Sequence, residues 1–242
     1  MKIQKEIHSP KEGLEKLLKK YAVNAGSYSL EKRAIVLNNQ RIQLLPWRSE
    51  RRFIEMKKML NDGTLGSLSS VRAMRTGWRS ETLEEILYRE IDLCLWITEK
   101  RPVTINGVVN GSCANVLMQL EDGSYCQIEA AAQLNDEELR FERHEVITDH
   151  GMATDQAIDT QIRQQSIYVF TEEDQTTYTD VDFELYGLND EEIALVRSAF
   201  AVLTDSKTGP QFLKTDRKVR ALLKKVYQTT EAEHPAVVEE EE

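Results

Sequence analysis

Cysteine is scarce in this chain of 242 residues, which holds three, at Cys94, Cys113 and Cys126, with no Cys-x-x-Cys spacing. An odd number in apolar surroundings argues against a disulfide framework or a thiolate metal site and predicts reduced core residues. Long apolar runs are missing as well. No apolar stretch of about 18 residues occurs, which excludes a membrane-spanning helix. The opening MKIQKEIHSPKEGLEKLL lacks the apolar segment of a secretion signal, so a cytoplasmic location is expected. No internal repeat or low-complexity linker is visible.

What is present is charge, unevenly placed. The net charge is -10, yet residues 1–60 hold 14 Lys and Arg against 6 Asp and Glu. The basic residues are interleaved with a helical pattern and few aromatics, so they read as a segment docking on an acidic part of the same chain, with no nucleic acid partner. The closing run VVEEEE reads as a solvated, disordered tail over 233–242.

Periodicity supplies the elements. Ser9-Pro10 before KEGLEKLLKKYA predicts a capped helix that buries Leu14, Leu17, Leu18 and Tyr21. AIVLNN (34–39) suits a buried strand, and 47–61 a second amphipathic helix ending at Asp62-Gly63. A strand over SLSSVRAMRTGW precedes a third helix at 81–98, with Leu83, Ile86, Leu87, Ile91, Cys94 and Leu95 inward. From PVTINGVVNG the period becomes two, and an Asp-Gly turn at 122–123 joins two strands into a hairpin. One face of it, with Ala114, Val116, Met118, Leu120, Cys126, Ile128, Ala130 and Ala132, is apolar. The other, with Asn115, Gln119, Gln127 and Glu129, is polar. Further strands are expected in ELRFERHEVIT, GMATDQAI, SIYVFT and TTYTDV, then two closing helices. The fold class is α+β: an open, mainly antiparallel sheet with helices packed on one face, preceded by a short α/β segment.

The succession MKKMLNDGTLGSLSSVRAMRTGW, REIDLCLW with RPVTINGVV, HEVITDHGMAT, and the closing LVRSAFAVLTDSKTGPQFLKTDRKVRALLKKVYQTTEAEHPAVV resembles the C-terminal domain of the Gfo/Idh/MocA oxidoreductases, named for glucose-fructose oxidoreductase and inositol dehydrogenase. The resemblance runs from about residue 33 to 238 and lies in order and spacing. It implies a division into a remnant of the end of a Rossmann-like domain (1–45), an α/β domain (46–232) and the tail (233–242). It also implies NAD(P) chemistry, for which a glycine-rich turn at a helix N-terminus must accept the pyrophosphate. No Gly-x-Gly-x-x-Gly exists here, so no cofactor is expected for the chain alone, and NAD(P) only if a Rossmann domain is supplied in trans.

Two catalytic elements of the family are degenerate. Lys5 stands where a Glu-Lys-Pro lysine would, but Gln4 and Glu6 replace its neighbours. On the third helix the family pattern D-x-G-x-H-x-(I/L)-D places Glu85 at the first Asp, Leu87 at the Gly, Arg89 at the His and Asp92 at the last Asp. A histidine there takes a proton from a substrate hydroxyl as hydride leaves; an arginine remains protonated and cannot. Glu85 and Arg89 also fit a surface i,i+4 pair, or Arg89 an anion site. His144, Glu145, Asp149 and His150 lie close in sequence but lack a third ligand at a metal spacing, so they read as solvent-facing strand and turn residues. Trp47, Trp78 and Trp96 suit core or interface positions. Three functions remain open: a non-catalytic domain used for assembly, for ligand binding or as partner of a full-length oxidoreductase; one half of a split NAD(P)-dependent sugar or polyol dehydrogenase whose Rossmann domain is a separate chain; and a truncated gene product with no role of its own. Homo-oligomer formation through the uncovered sheet face is expected.

Overall fold

The computed structural model describes residues 6–78, 80–134, 141–156, 166–171, 175–179 and 182–239. Ser9 caps helix α1 (Pro10–Lys20) by accepting the Glu12 amide, and Leu14, Leu17 and Leu18 are buried. Tyr21, expected on that face, is the C-cap residue and 50% exposed. Strands β1 (Tyr28–Leu30), β2 (Ala34–Leu37) and β3 (Gln40–Gln43) follow. A 3₁₀ turn at Pro46–Ser49 leads into α2 (Arg51–Asn61), and Gly63, at φ 79°, turns the chain after it. Then come β4 (Leu68–Trp78), α3 (Leu83–Thr98), β5 (Pro102–Asn110), β6 (Cys113–Leu120) and β7 (Tyr125–Leu134). The rest is β8 (Glu142–Thr148), β9 (Gly151–Thr154), β10 (Ser166–Thr171), β11 (Gln175–Thr179), α4 (Asp190–Thr204), α5 (Thr208–Ala232) and β12 (Ala236–Val237).

The chain divides into two compact units, Met1–Phe53 with Asp180–Arg217, and Ile54–Thr179 with Lys218–Glu242. This differs from the expected break after residue 45, because α4 and the loop before it pack with the first fifty residues. Gly13 of α1 lies against Leu185, Leu188 and Val196, where a Cβ would come within 3.0 Å of Leu188. Basic and acidic segments meet in this unit: Glu184 accepts from Lys20, from the Tyr21 hydroxyl at 2.8 Å and from Arg197 at 2.7 Å. The expected helix-and-strand remnant is instead a helix with an antiparallel meander, β1-β2-β3. Asn38 and Asn39, both in the left-handed region, form the two-residue turn between β2 and β3.

Among the described residues the second unit is built on an open sheet of nine strands in the order β11-β10-β9-β8-β4-β7-β6-β5-β12. Every junction is antiparallel except β4 with β7. Val71, Ala73, Val116, Met118, Cys126 and Ile128 fill the inner face, against which the buried side of α3 packs. Cys94 and Cys126 are core residues as expected; Cys113 is exposed, because its strand parity points it to the other face.

At the β5 edge, α5 comes close. A Cβ on Gly107 would meet Val226 Cγ1 at 2.5 Å and the Val226 carbonyl at 3.0 Å. Thr229 and Thr230 of α5 accept the amides of Gly107 and Val109 at 2.8 and 3.1 Å. The tail is not wholly free of structure: Ala236 and Val237 pair with Ile105 and Thr104, since the edge of β5 offers unpaired backbone groups there. Gly107→Ala should destabilise the fold by about 1–3 kcal/mol, because Val226 backbone atoms cannot withdraw as a side-chain tip could. Urea unfolding measures this, and a change near zero would show that α5 can shift.

Candidate functional site

The helix singled out in sequence begins with a capping box. Glu85 accepts the Thr82 amide at 2.9 Å while the Thr82 hydroxyl accepts the Glu85 amide at 3.1 Å. Arg89, one turn on, is not a surface residue: it is 7% exposed and its guanidinium pairs with Glu90 at 2.5 Å and Glu142 at 3.4 Å. The next position of the degenerate motif, Asp92, is fully buried. Lys5 lies outside the described residues.

Sheet register explains what Arg89 meets. β4 and β8 align Ala73 with His144 and Arg75 with Glu142, so Arg75, Glu142 and His144 share the inner face under α3. Arg75, 3% exposed, donates to Glu81 at 2.9 Å and Glu142 at 2.5 Å. Its Nε has no hydrogen-bond partner.

At the centre is His144, expected in solvent but 1% exposed. Its Nδ1 lies 2.6 Å from Asp155 and its Nε2 2.9 Å from Glu90, and its backbone amide donates to Asp155 at 2.7 Å. An imidazole with a carboxylate at each nitrogen satisfies both only as the doubly protonated cation. Burial works against that charge, but Asp155 and Glu90 outweigh it and push the pKa up to about 9. Burial likewise opposes the charge on Glu90, yet Arg89, His144 and Arg75 hold its pKa down at about 2. Strand parity could have revealed this: in Arg143-His144-Glu145-Val146, His144 shares the face of core residue Val146.

The other residues of that stretch separate. Glu145 sits on the opposite face, with Arg143 at 2.9 Å and Arg72 at 3.4 Å. It is 3% exposed, also against the expectation of a solvent-facing residue, because the two arginines cover it. Asp149 and His150 are exposed and abut Gly66, with Asp149 accepting the Ser67 amide at 2.6 Å. Among the described residues no three side chains of metal-ligating type are placed so that they could hold a metal ion. On the face away from α3, Arg72, Met74, Gln127, Glu129, Arg143 and Glu145 line a solvent-open depression of about 260 Å³.

No family model and no curated protein matches the sequence. Solved structures do match. An oxidoreductase domain protein from Kribbella flavida superimposes with a TM-score of 0.63 at 15% identity, over 81% of this chain and 65% of that one. A levoglucosan dehydrogenase in complex with NADH and levoglucosan gives 0.62 at 13%, over 80% and 65%. Myo-inositol 2-dehydrogenase from Lactobacillus plantarum gives 0.58 at 12%, over 81% and 64%. The fold is thus that of the Gfo/Idh/MocA-type oxidoreductases. The chain spans about 64 to 65% of the length of these three structures. No helix of the described residues is long and apolar enough to cross a membrane.

Breaking the cluster should be costly. His144→Ala removes the imidazolium shared by Asp155 and by Glu90, which keeps Arg89, and should destabilise the protein by about 3–5 kcal/mol. The pH dependence follows from the shifts. His144 is raised from 6.5 to about 9, so its contribution is complete below pH 6.5 and lost as pH rises through 9. Glu90 is lowered from 4.5 to about 2, so its contribution is complete above pH 4.5 and lost as pH falls toward 2. Urea midpoints should therefore fall between pH 6.5 and 10, and His144→Gln should flatten that limb. An equal alkaline slope in the variant would assign the titration to another group.

Proposed function

We propose that this chain is an oxidoreductase-fold domain that does not perform hydride transfer unaided and acts as an assembly or ligand-binding subunit. The observation that supports this most directly is the ion-paired burial of Arg89, where the family resemblance expects a catalytic base. A guanidinium stays protonated at any working pH. His144, the nearest imidazole in the cluster, is held as a cation between Glu90 and Asp155 and has no free lone pair at neutral pH. Neither group accepts a proton from a substrate hydroxyl. The cluster's chemistry is spent on fastening α3 to the sheet.

The uncovered sheet face is the proposed surface for assembly. Val108, Leu117 and Tyr125 are exposed on it, at 57%, 45% and 41%, beside the charged depression around Arg72 and Glu145. A mixed apolar and charged face of this kind suits contact with a second copy. Its location is proposed to be cytoplasmic, where the free thiols of Cys94, Cys113 and Cys126 stay reduced.

A second reading is favoured by the partial coverage of the neighbours. About a third of their length has no counterpart here, so a separate Rossmann-bearing chain could bring NAD(P) and complete a sugar or polyol dehydrogenase. Titration calorimetry with NAD+ and NADP+ tests the first reading: no heat of binding is expected from the purified chain, and micromolar binding would overturn it. Sedimentation at tens of micromolar tests assembly. A species larger than the monomer is expected, and a strictly monomeric boundary would count against the sheet face as an interface.

A further inference from the structure

Strand β5 reads PVTINGVVN, nine residues without a charge and with β-branched side chains at Val103, Thr104, Ile105, Val108 and Val109. Edge strands are usually protected from pairing with other chains by lysines, inward charges, prolines or bulges. β5 has a proline and a register irregularity only at its first residues, next to Thr104. Protection comes instead from the C-terminal segment. Thr229 and Thr230 occupy the amides of Gly107 and Val109, β12 pairs at Thr104 and Ile105, and the Val238 amide donates to the Val103 carbonyl at 3.0 Å. Lys225 donates to the Val237 carbonyl at 3.1 Å.

The strap is lightly held. Its strand is two residues long, Val237 is 69% exposed, and the chain enters it through Glu233 at φ 56°, a left-handed conformation uncommon outside glycine. We infer that residues 233–239 form a detachable guard over the β5 edge, and that the partner it excludes is a second copy of this chain pairing through its own β5. A second copy fits because identical uncharged strands meet antiparallel with no like-charge opposition, in a register centred on Thr104. With the strap in place, the outermost strand leads instead into Glu239–Glu242, and two such acidic runs repel. This inference concerns the sheet edge and stands apart from the face proposed above.

The test is the full chain carrying Ala236→Pro and Val238→Pro, which removes amide donors from the strap and touches no core residue. Hydrogen exchange at the Ile105 amide, read at a dilution where the chain is monomeric, reports release, and sedimentation velocity over a concentration series reports association. Ile105 should exchange about tenfold faster, and the average mass should rise with concentration beyond that of the unsubstituted chain. Adding Thr104→Lys should return the mass to the original level. Unchanged Ile105 protection, or release without added association, overturns the inference. Association that survives Thr104→Lys would place the contact elsewhere and overturn it too.

Discussion

A buried imidazolium held between two carboxylates is the constraint on which the second unit depends. His144 belongs to β8, Glu90 to α3 and Asp155 to the chain just past β9, so three elements remote in sequence meet at one ring. Charges taken out of water are tolerated only where each has its counter-charge in hydrogen-bond geometry. Arg89 and Arg75 meet the remaining demand of Glu90, Glu142 and Glu81, which ties the seating of α3 to the β4–β8 register. A slip of β8 by one residue would carry His144 to the opposite face and leave Glu90 without it.

Local rules made much of this architecture legible. Ser9 and Pro10 announce α1, the period change after residue 100 announces the hairpins, and the apolar stripe of 83–98 announces α3. What escaped depends on pairing between distant segments. His144 looks like a solvent residue among Arg143, Glu145 and Asp149, and only the apolar identity of its alternate neighbour Val146 hints otherwise. Arg89 fits an exposed helix pair equally well until β4 and β8 are laid beneath it. Asn38-Asn39 was a turn signal within reach, since two residues that tolerate positive φ stood between apolar runs. The ordering of Ala236-Val237 was not within reach, because an acidic tail gives no local reason to pair.

The likeness to the oxidoreductase structures lies in the backbone. In a reacting site, ionisable groups are poised near the working pH and open to a substrate. Here the shifts run outward, His144 toward the alkaline side and Glu90 toward the acid side, so both groups hold a fixed charge across the neutral range. Both fixed charges contribute to the cohesion of α3 with the sheet.

The three members of the central trio are 54 and 11 residues apart along the chain, yet they meet at one ring. Such positions do not drift singly without cost: an apolar replacement of the ring takes the imidazolium away from both carboxylates. Among sequences related to this one, positions 90, 144 and 155 should therefore change together.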